Sequence, residues 1–187
     1  TSYDIRRQME ISDQLLGWIT YNRKLQEILT TDYSEKYEKQ LDIIQFSSYA
    51  TEYAINANIE NSIFKILIVE NNGESFQIGN VLSLMDQDAI EEAKWAETYN
   101  HNKADQLVLS KDIYAKDTYI FPVSSRIYND LTGAPIGWCI IAFRNDMYSK
   151  SLINGSNNQN IYLINPAGQC IGHTDSSMIG ADMSQDS

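Results

Sequence analysis

Helical periodicity dominates the first 58 residues. Ile5, Met9, Ser12, Leu16 and Ile19 step by four and three, a heptad-like stripe with Gly17 as its one glycine. The stripe loosens near Tyr21 and resumes with Leu25, Ile28 and Leu29. Thr30, Thr31 and Asp32 break it, and Ser34 with Tyr37 marks the start of a new helix. Leu41, Ile44, Ser48 and Thr51 carry one face of that second helix, and Ile43, Phe46 and Ala50 widen it. The pattern predicts a long first helix followed by a second.

The period then changes. Ile63 to Val69 (IFKILIV) is apolar on both faces apart from Lys65, which predicts a buried central strand. Glu70-Asn71-Asn72-Gly73 is a hairpin turn, because Asn and Gly tolerate positive φ, and Glu74 to Gly79 is the returning strand. A helix capped by Asp86 or Asp88 and lined by Ile90, Ala93 and Trp95 is expected next, then a short strand from Leu107 to Leu109. Tyr119 to Tyr128 (YIFPVSSRIY) is a long strand, in which Pro122 demands an edge position or a bulge. Its partner is Ile136 to Arg144 across the turn at 129–133, followed by a short helix through Leu152. A polar loop at 154–158 separates a second hairpin, Ile161 to Ile164 and Gln169 to His173. Two strands do not make a stable sheet alone, so this hairpin either joins the first sheet or opens another module. The expected division is therefore 1–155, with the helices and the main sheet, and 156–187, the start of a second and partial module. The chain begins inside a helical pattern and stops at Gln185-Asp186-Ser187 with no finished element, which predicts a piece of a longer protein.

At 187 residues, 43% hydrophobic and 21% charged, the composition is that of a globular chain. The net charge of −11 repels phosphate backbones and anionic lipid, so nucleic acid is not an expected partner. No run approaches the ~20 apolar residues that cross a bilayer.

The motifs of chemistry are missing. The two histidines, His101 and His173, have no metal-ligand spacing, and Cys139 and Cys170 form no Cys-x-x-Cys pair and are expected to be unpaired. No Gly-x-Ser-x-Gly elbow or phosphate-binding glycine loop occurs, Glu91 and Glu92 point apart on one helix, and Asp86-Gln87-Asp88 lacks the glycine and distal glutamate of a calcium loop. The expectation is no catalytic residues, no metal and no cofactor. Twelve tyrosines suit a half-buried sheet or an aromatic-lined pocket.

Three stretches carry a resemblance. Asn22 to Ile44 (NRKLQEILTTDYSEKYEKQLDII) is similar to the region after the first membrane helix of YesM-type sensor histidine kinases. Ile127 to Ile153 (IYNDLTGAPIGWCIIAFRNDMYSKSLI) resembles their strand-turn-Gly-strand-helix segment, and Ile161 to Gly180 (IYLINPAGQCIGHTDSSMIG) the hairpin that opens their membrane-proximal half. The order of elements resembles the Cache domains, extracytoplasmic relatives of the PAS fold. The resemblance implies an α+β fold: a PAS-like antiparallel sheet with long N-terminal helices, its membrane-proximal part incomplete. It implies a non-catalytic, extracellular ligand-sensing domain on the extracytoplasmic side of a bacterial cell membrane, in a membrane-anchored histidine kinase of a two-component system. A chemoreceptor or diguanylate cyclase sensor, or a dimerisation module without ligand, are the alternatives. The implied partner is an unidentified small molecule, with a homodimer through the N-terminal helix as a second expectation. The implied pocket lies between the sheet and the elements covering it, which points to Trp95 and Tyr99 on the covering helix and to Tyr119, Phe121, Val123 and Ser125 on one strand face. Arg126, on the opposite face unless Pro122 makes a bulge, is the cationic candidate for a carboxylate ligand.

Overall fold

A computed structural model describes residues 2–78, 107–112, 118–148 and 162–184. The helix expected after Asp86 and the loop at 154–158 lie outside these residues, and of the helix expected after Arg144 only a first turn at 146–148 is described. Three helices open the chain: α1 (Ser2–Thr20), α2 (Arg23–Thr30) and α3 (Lys36–Asn56). The break between α1 and α2 is a local chemical event. Thr20 Oγ1 donates back to the Leu16 carbonyl at 3.0 Å. Asn22 turns extended and caps α2, its Oδ1 accepting from the backbone N–H of Lys24 and Leu25. Lys24 then reaches Asp42 at 2.7 Å, and the Tyr33 hydroxyl donates to the same carboxylate at 2.7 Å, which ties α2 to α3.

The stripe on α1 is core. Ile5, Ser12, Leu16 and Ile19 are buried, and Leu15 joins them. Trp18 stacks on Phe46 and Tyr53 of α3, with ring centroids 6.1 and 4.9 Å apart, and so joins the two helices. On α3 the expected face is split, with Phe46 and Ala50, which widen it, in the core. Phe46, Ala50 and Ala54 point inward, while Leu41 and Ile44 are about half exposed. Both faces of this helix are apolar, so periodicity alone could not rank them.

The main sheet is antiparallel, in the order β2-β1-β5-β4-β3, from β1 (Ile63–Glu70), β2 (Ser75–Ile78), β3 (Ser110–Lys111), β4 (Tyr119–Tyr128) and β5 (Pro135–Arg144). Pro122 meets the edge requirement, because β3 pairs with Tyr119 and Ile120 and its register does not include Pro122. Register is continuous from Ile120 to Ile127, so Pro122 makes no bulge. A bulge does occur in β1, where Ile63 opposes Phe143 but Lys65 opposes Ala142. The extra residue, Phe64, turns Ile63 to one face and Lys65, Leu67 and Val69 to the other.

The helices cover one face. Ile66, Ile68, Phe121, Val123, Ile127, Cys139, Ile141 and Phe143 share a cluster with the buried residues of α1, α2 and α3. The second hairpin, β6 (Tyr162–Ile164) and β7 (Cys170–His173), is a separate two-stranded sheet. Its Ile171 and the following Ile179 nevertheless belong to the same apolar cluster, and the free space at Gly180 is taken by the Tyr119 ring. Both cysteines are free and buried.

Gly137 shows how tightly helix and sheet meet. A methyl group there would lie 2.6 Å from the Val69 carbonyl oxygen, with Leu29 of α2 next to it. Backbone cannot yield as a side chain tip can. Gly137→Ala is expected to destabilise the fold by about 2 kcal/mol, the usual cost of overpacking, read as a lower urea midpoint at unchanged slope.

Candidate functional site

The other face of the sheet has its own apolar floor, formed by Leu67 and Val69 of β1, Ile120 of β4, and Trp138, Ile140 and Ala142 of β5. Among the described residues no helix contributes to that cluster. Period-two alternation on three paired strands puts these six side chains together, and the register pairs Leu67 with Ile140, Val69 with Trp138 and Arg126 with Trp138.

Polar groups sit among them. The bulge at Phe64 delivers Lys65 to this face, where it forms an ion pair with Asp112, just beyond β3. Their side chains are 7% and 1% exposed. Ser124 is buried between Ile120 and Arg126 on the same side of β4. The Arg126 guanidinium lies over the Trp138 ring, 4.7 Å from its centroid. Its Nε is buried and has no hydrogen-bond partner. A guanidinium keeps its charge and offers five donors in a fixed fork, so a buried N–H without an acceptor is an open place for an anionic group.

The residues expected from sequence fall on different sides. Trp95 and Tyr99 lie outside the described residues. Tyr119, Phe121, Val123 and Ser125 share one face, as alternation requires, and it is the face beneath the N-terminal helices. Phe121 packs edge-on against Tyr148 at 4.8 Å, Val123 is core, and Tyr119 lies under Lys111 and against Gly180. Ser125 Oγ donates to the Arg126 carbonyl at 3.3 Å. Arg126 stands apart from them on the opposite face, where sequence analysis named none of its neighbours. Lys65 was the available signal: one charge inside IFKILIV needs a partner. Trp138 and Ser124 give no such signal, since they only continue β5 and β4.

Nothing described here resembles a nucleophile or a metal centre. Burial alone pushes the Cys139 thiol far above its ordinary range, which makes it an inert core group. His173 accepts from the Asp175 backbone N–H through Nδ1 at 2.9 Å and stacks on Tyr162. Among the described residues no group of three or more His, Cys, Asp and Glu side chains is placed to hold a metal ion, and no helix is long and apolar enough to cross a membrane.

No family model and no curated protein matches the chain. Solved structures do. A domain of a sensory box/GGDEF family protein from Vibrio parahaemolyticus superposes with a TM-score of 0.64 at 16% identity, over 95% of this chain and 70% of that one. The extracellular domain of a protein designated histidine kinase vpHK1S-Z8 gives 0.63 at 17% identity, over 95% and 69%. The ligand-binding domain of the Campylobacter jejuni chemoreceptor Tlp3, in complex with 4-methylisoleucine, gives 0.58 at 15% identity, over 92% and 63%. The chain thus spans about two thirds of the length of these structures and shares their α+β fold, N-terminal helices backing an antiparallel sheet.

Proposed function

We propose that this chain is the extracytoplasmic, ligand-sensing domain of a membrane-anchored bacterial receptor, without catalytic activity of its own, and that its ligand seats on the sheet face carrying Arg126. The observation that carries this reading is the Arg126–Trp138 pair, a stacked guanidinium with a buried, unpartnered Nε above an apolar floor. A small molecule with a carboxylate fits that combination: the fork takes the carboxylate, and the Trp138 ring beneath the guanidinium offers an apolar contact beside it. The Lys65–Asp112 pair offers further polar contacts on the same face. The fold shared with sensory domains supports the reading. Among outputs, a histidine kinase is favoured by the three stretches similar to YesM-type kinases; a chemoreceptor or a diguanylate cyclase would use the same domain. The β6–β7 hairpin is then the start of a membrane-proximal module.

The action would be a bias between conformations. β4 and β5 carry Arg126 and Trp138 on one face and pack against α1 on the other. A ligand that draws these two residues together loads the strands on which α1 rests. It shifts the helix only by its difference in affinity for the two arrangements.

A thermal-shift screen of amino acids and other small carboxylates tests this. A ligand at a hundred times its dissociation constant stabilises the folded state by about 2.7 kcal/mol. Arg126→Ala is expected to abolish the shift while the unliganded domain melts within a few degrees of the parent. A bound carboxylate whose affinity survives Arg126→Ala intact would place the site elsewhere.

A further inference from the structure

The ion pair on the Arg126 face joins strands that are not neighbours. Lys65 stands on β1 and Asp112 just beyond β3, and the order β2-β1-β5-β4-β3 puts β5 and β4 between them. Beside Lys65 in the ladder come Ala142 and then Pro122, side chains small enough for the lysine stem to cross. The segment 107–112 meets the sheet edge over a short stretch: two ladder residues, Ser110 and Lys111, and the Asp112 N–H, which donates to the Thr118 carbonyl at 2.9 Å. Its other end is strained. Leu107 has a φ of 50°, in the left-handed region that its Cβ disfavours. The Leu107 carbonyl accepts from Asn165 Nδ2 at 3.3 Å. Asn165 is buried at the β6–β7 turn, where its Oδ1 accepts from the backbone N–H of Ala167 and of Gln169, both at 3.0 Å, which fixes the direction of its amide. A second contact runs alongside. Lys111 Nζ lies 5.5 Å from the Tyr119 ring centroid, and that ring fills the space at Gly180, where a Cβ would come within 2.5 Å of it.

We infer that the segment 107–112 is a latch, closed by the Lys65–Asp112 ion pair, which holds the β6–β7 hairpin against the main sheet. With the pair closed, Asp112 fixes the segment from one end, and Leu107 is kept in a conformation it would not choose alone. With the pair open, the segment is left with a two-residue ladder at a sheet edge, and Leu107 relaxes toward negative φ. Relaxation re-aims the carbonyl that Asn165 reads. Two strands do not hold together alone, so a hairpin that loses its dock also loses protection of its own ladder. A charge pair on one face of the main sheet thereby governs a hairpin that belongs to a separate sheet. On the sensing reading, a ligand that draws either charge to itself opens the same latch; the latch is tested without one.

Hydrogen exchange on the 187-residue chain tests the latch, read at the amides of the β6–β7 ladder and, for reference, at those of β1 and β5. Lys65→Met breaks the pair from β1, on the far side of β5 and β4 from the segment. It is expected to speed exchange in the hairpin by about tenfold or more. Gly137→Ala weakens the packing of helix on sheet away from the latch; it is expected to speed the reference amides and leave the local opening of the hairpin unchanged. Asn165→Ala is expected to reproduce the effect of Lys65→Met, and the two together to add little to either alone. If Lys65→Met does not fold, Asp112→Asn opens the pair from the other end with its shape kept. Hairpin amides that exchange at the same rate in the parent and in Lys65→Met overturn the proposal. So does a hairpin that speeds up equally in Gly137→Ala, since it then opens only with the whole domain. Effects of Lys65→Met and Asn165→Ala that multiply in full overturn it as well. None of these outcomes involves a ligand, so the sensing proposal is judged separately.

Discussion

Asp112→Ala is expected to remove about 3–5 kcal/mol of stability, the cost of stranding one partner of a buried ion pair. Its carboxylate, 1% exposed, meets an ammonium that is itself 7% exposed. Without Asp112 the Lys65 ammonium loses its carboxylate partner on a packed sheet face, where Leu67, Ile140 and Ala142 are among its neighbours. The pair as a whole is a different matter. Desolvation of two ions offsets most of their attraction, so a hydrophobic pair of similar volume can match it. Lys65→Met combined with Asp112→Leu is therefore expected to recover more than half of the loss seen in Asp112→Ala. Urea denaturation of the parent, Lys65→Met, Asp112→Leu and the double variant closes the cycle. Single losses that simply add in the double variant would show that the two charges do not depend on each other. Recovery of stability without recovery of ligand binding would assign the pair to sensing and not to the fold.

The cycle depends on a feature that could not be read from the chain. IFKILIV gave the strand, because an apolar run bounded by turn residues has few other uses, and Pro122 gave an edge position, because it cannot donate to a ladder. The turns, both long strands and the second hairpin were legible for the same reason: each has a local signal. What failed was everything that depends on which surface another element covers. Alternation correctly put Tyr119, Phe121, Val123 and Ser125 on one face and Arg126 on the other, but it does not say on which face the helices settle. A one-residue bulge at Phe64 leaves no mark in composition, yet it moves Lys65 across the sheet. On α3, two stripes of similar hydropathy lie on opposite sides, and the choice between them is made by Trp18 stacking on Phe46 and Tyr53, a contact some thirty residues away in sequence. Arg126 was named from sequence because a charge in a strand is conspicuous. Trp138 escaped because an apolar residue in an apolar strand is not.

Lys39→Met is expected to cost about 3 kcal/mol near neutral pH, the lower end for a broken buried pair because the lysine is partly exposed, and the loss should shrink as the solution is acidified. Lys39 Nζ lies 2.8 Å from Glu70 Oε1 and 2.7 Å from Glu74 Oε2, so one side chain of α3 holds both carboxylates at the ends of the β1–β2 hairpin. The two carboxylates titrate in opposite senses. Burial raises Glu70 above the ordinary carboxylate range, with Lys39 opposing the rise. The hydrogen bond from Lys39 lowers Glu74, which is mostly exposed. A carboxyl raised in the folded state holds its proton there at pH values where the unfolded chain has lost it. Glu70 thus lowers stability as pH climbs from its ordinary pKa through its raised one. Glu74 adds stability above its ordinary pKa, and that is lost as pH falls through its lowered one. Lys39 is raised, despite its burial, by the same two contacts, so its contribution is complete below its ordinary pKa and disappears only as pH rises through the raised value. Removing the ammonium takes away what opposed the rise of Glu70 and what held Glu74 down. In the variant the Glu70 window widens upward while the Glu74 contribution vanishes. The difference from the parent is therefore largest near neutral pH and narrows on acidification, as Glu70, raised by its burial, takes up a proton. Chemical denaturation of both proteins at three pH values measures it. A difference that stays constant from pH 7 to pH 5 would mean that Glu70 remains solvated and that Lys39 contributes by packing its methylenes alone.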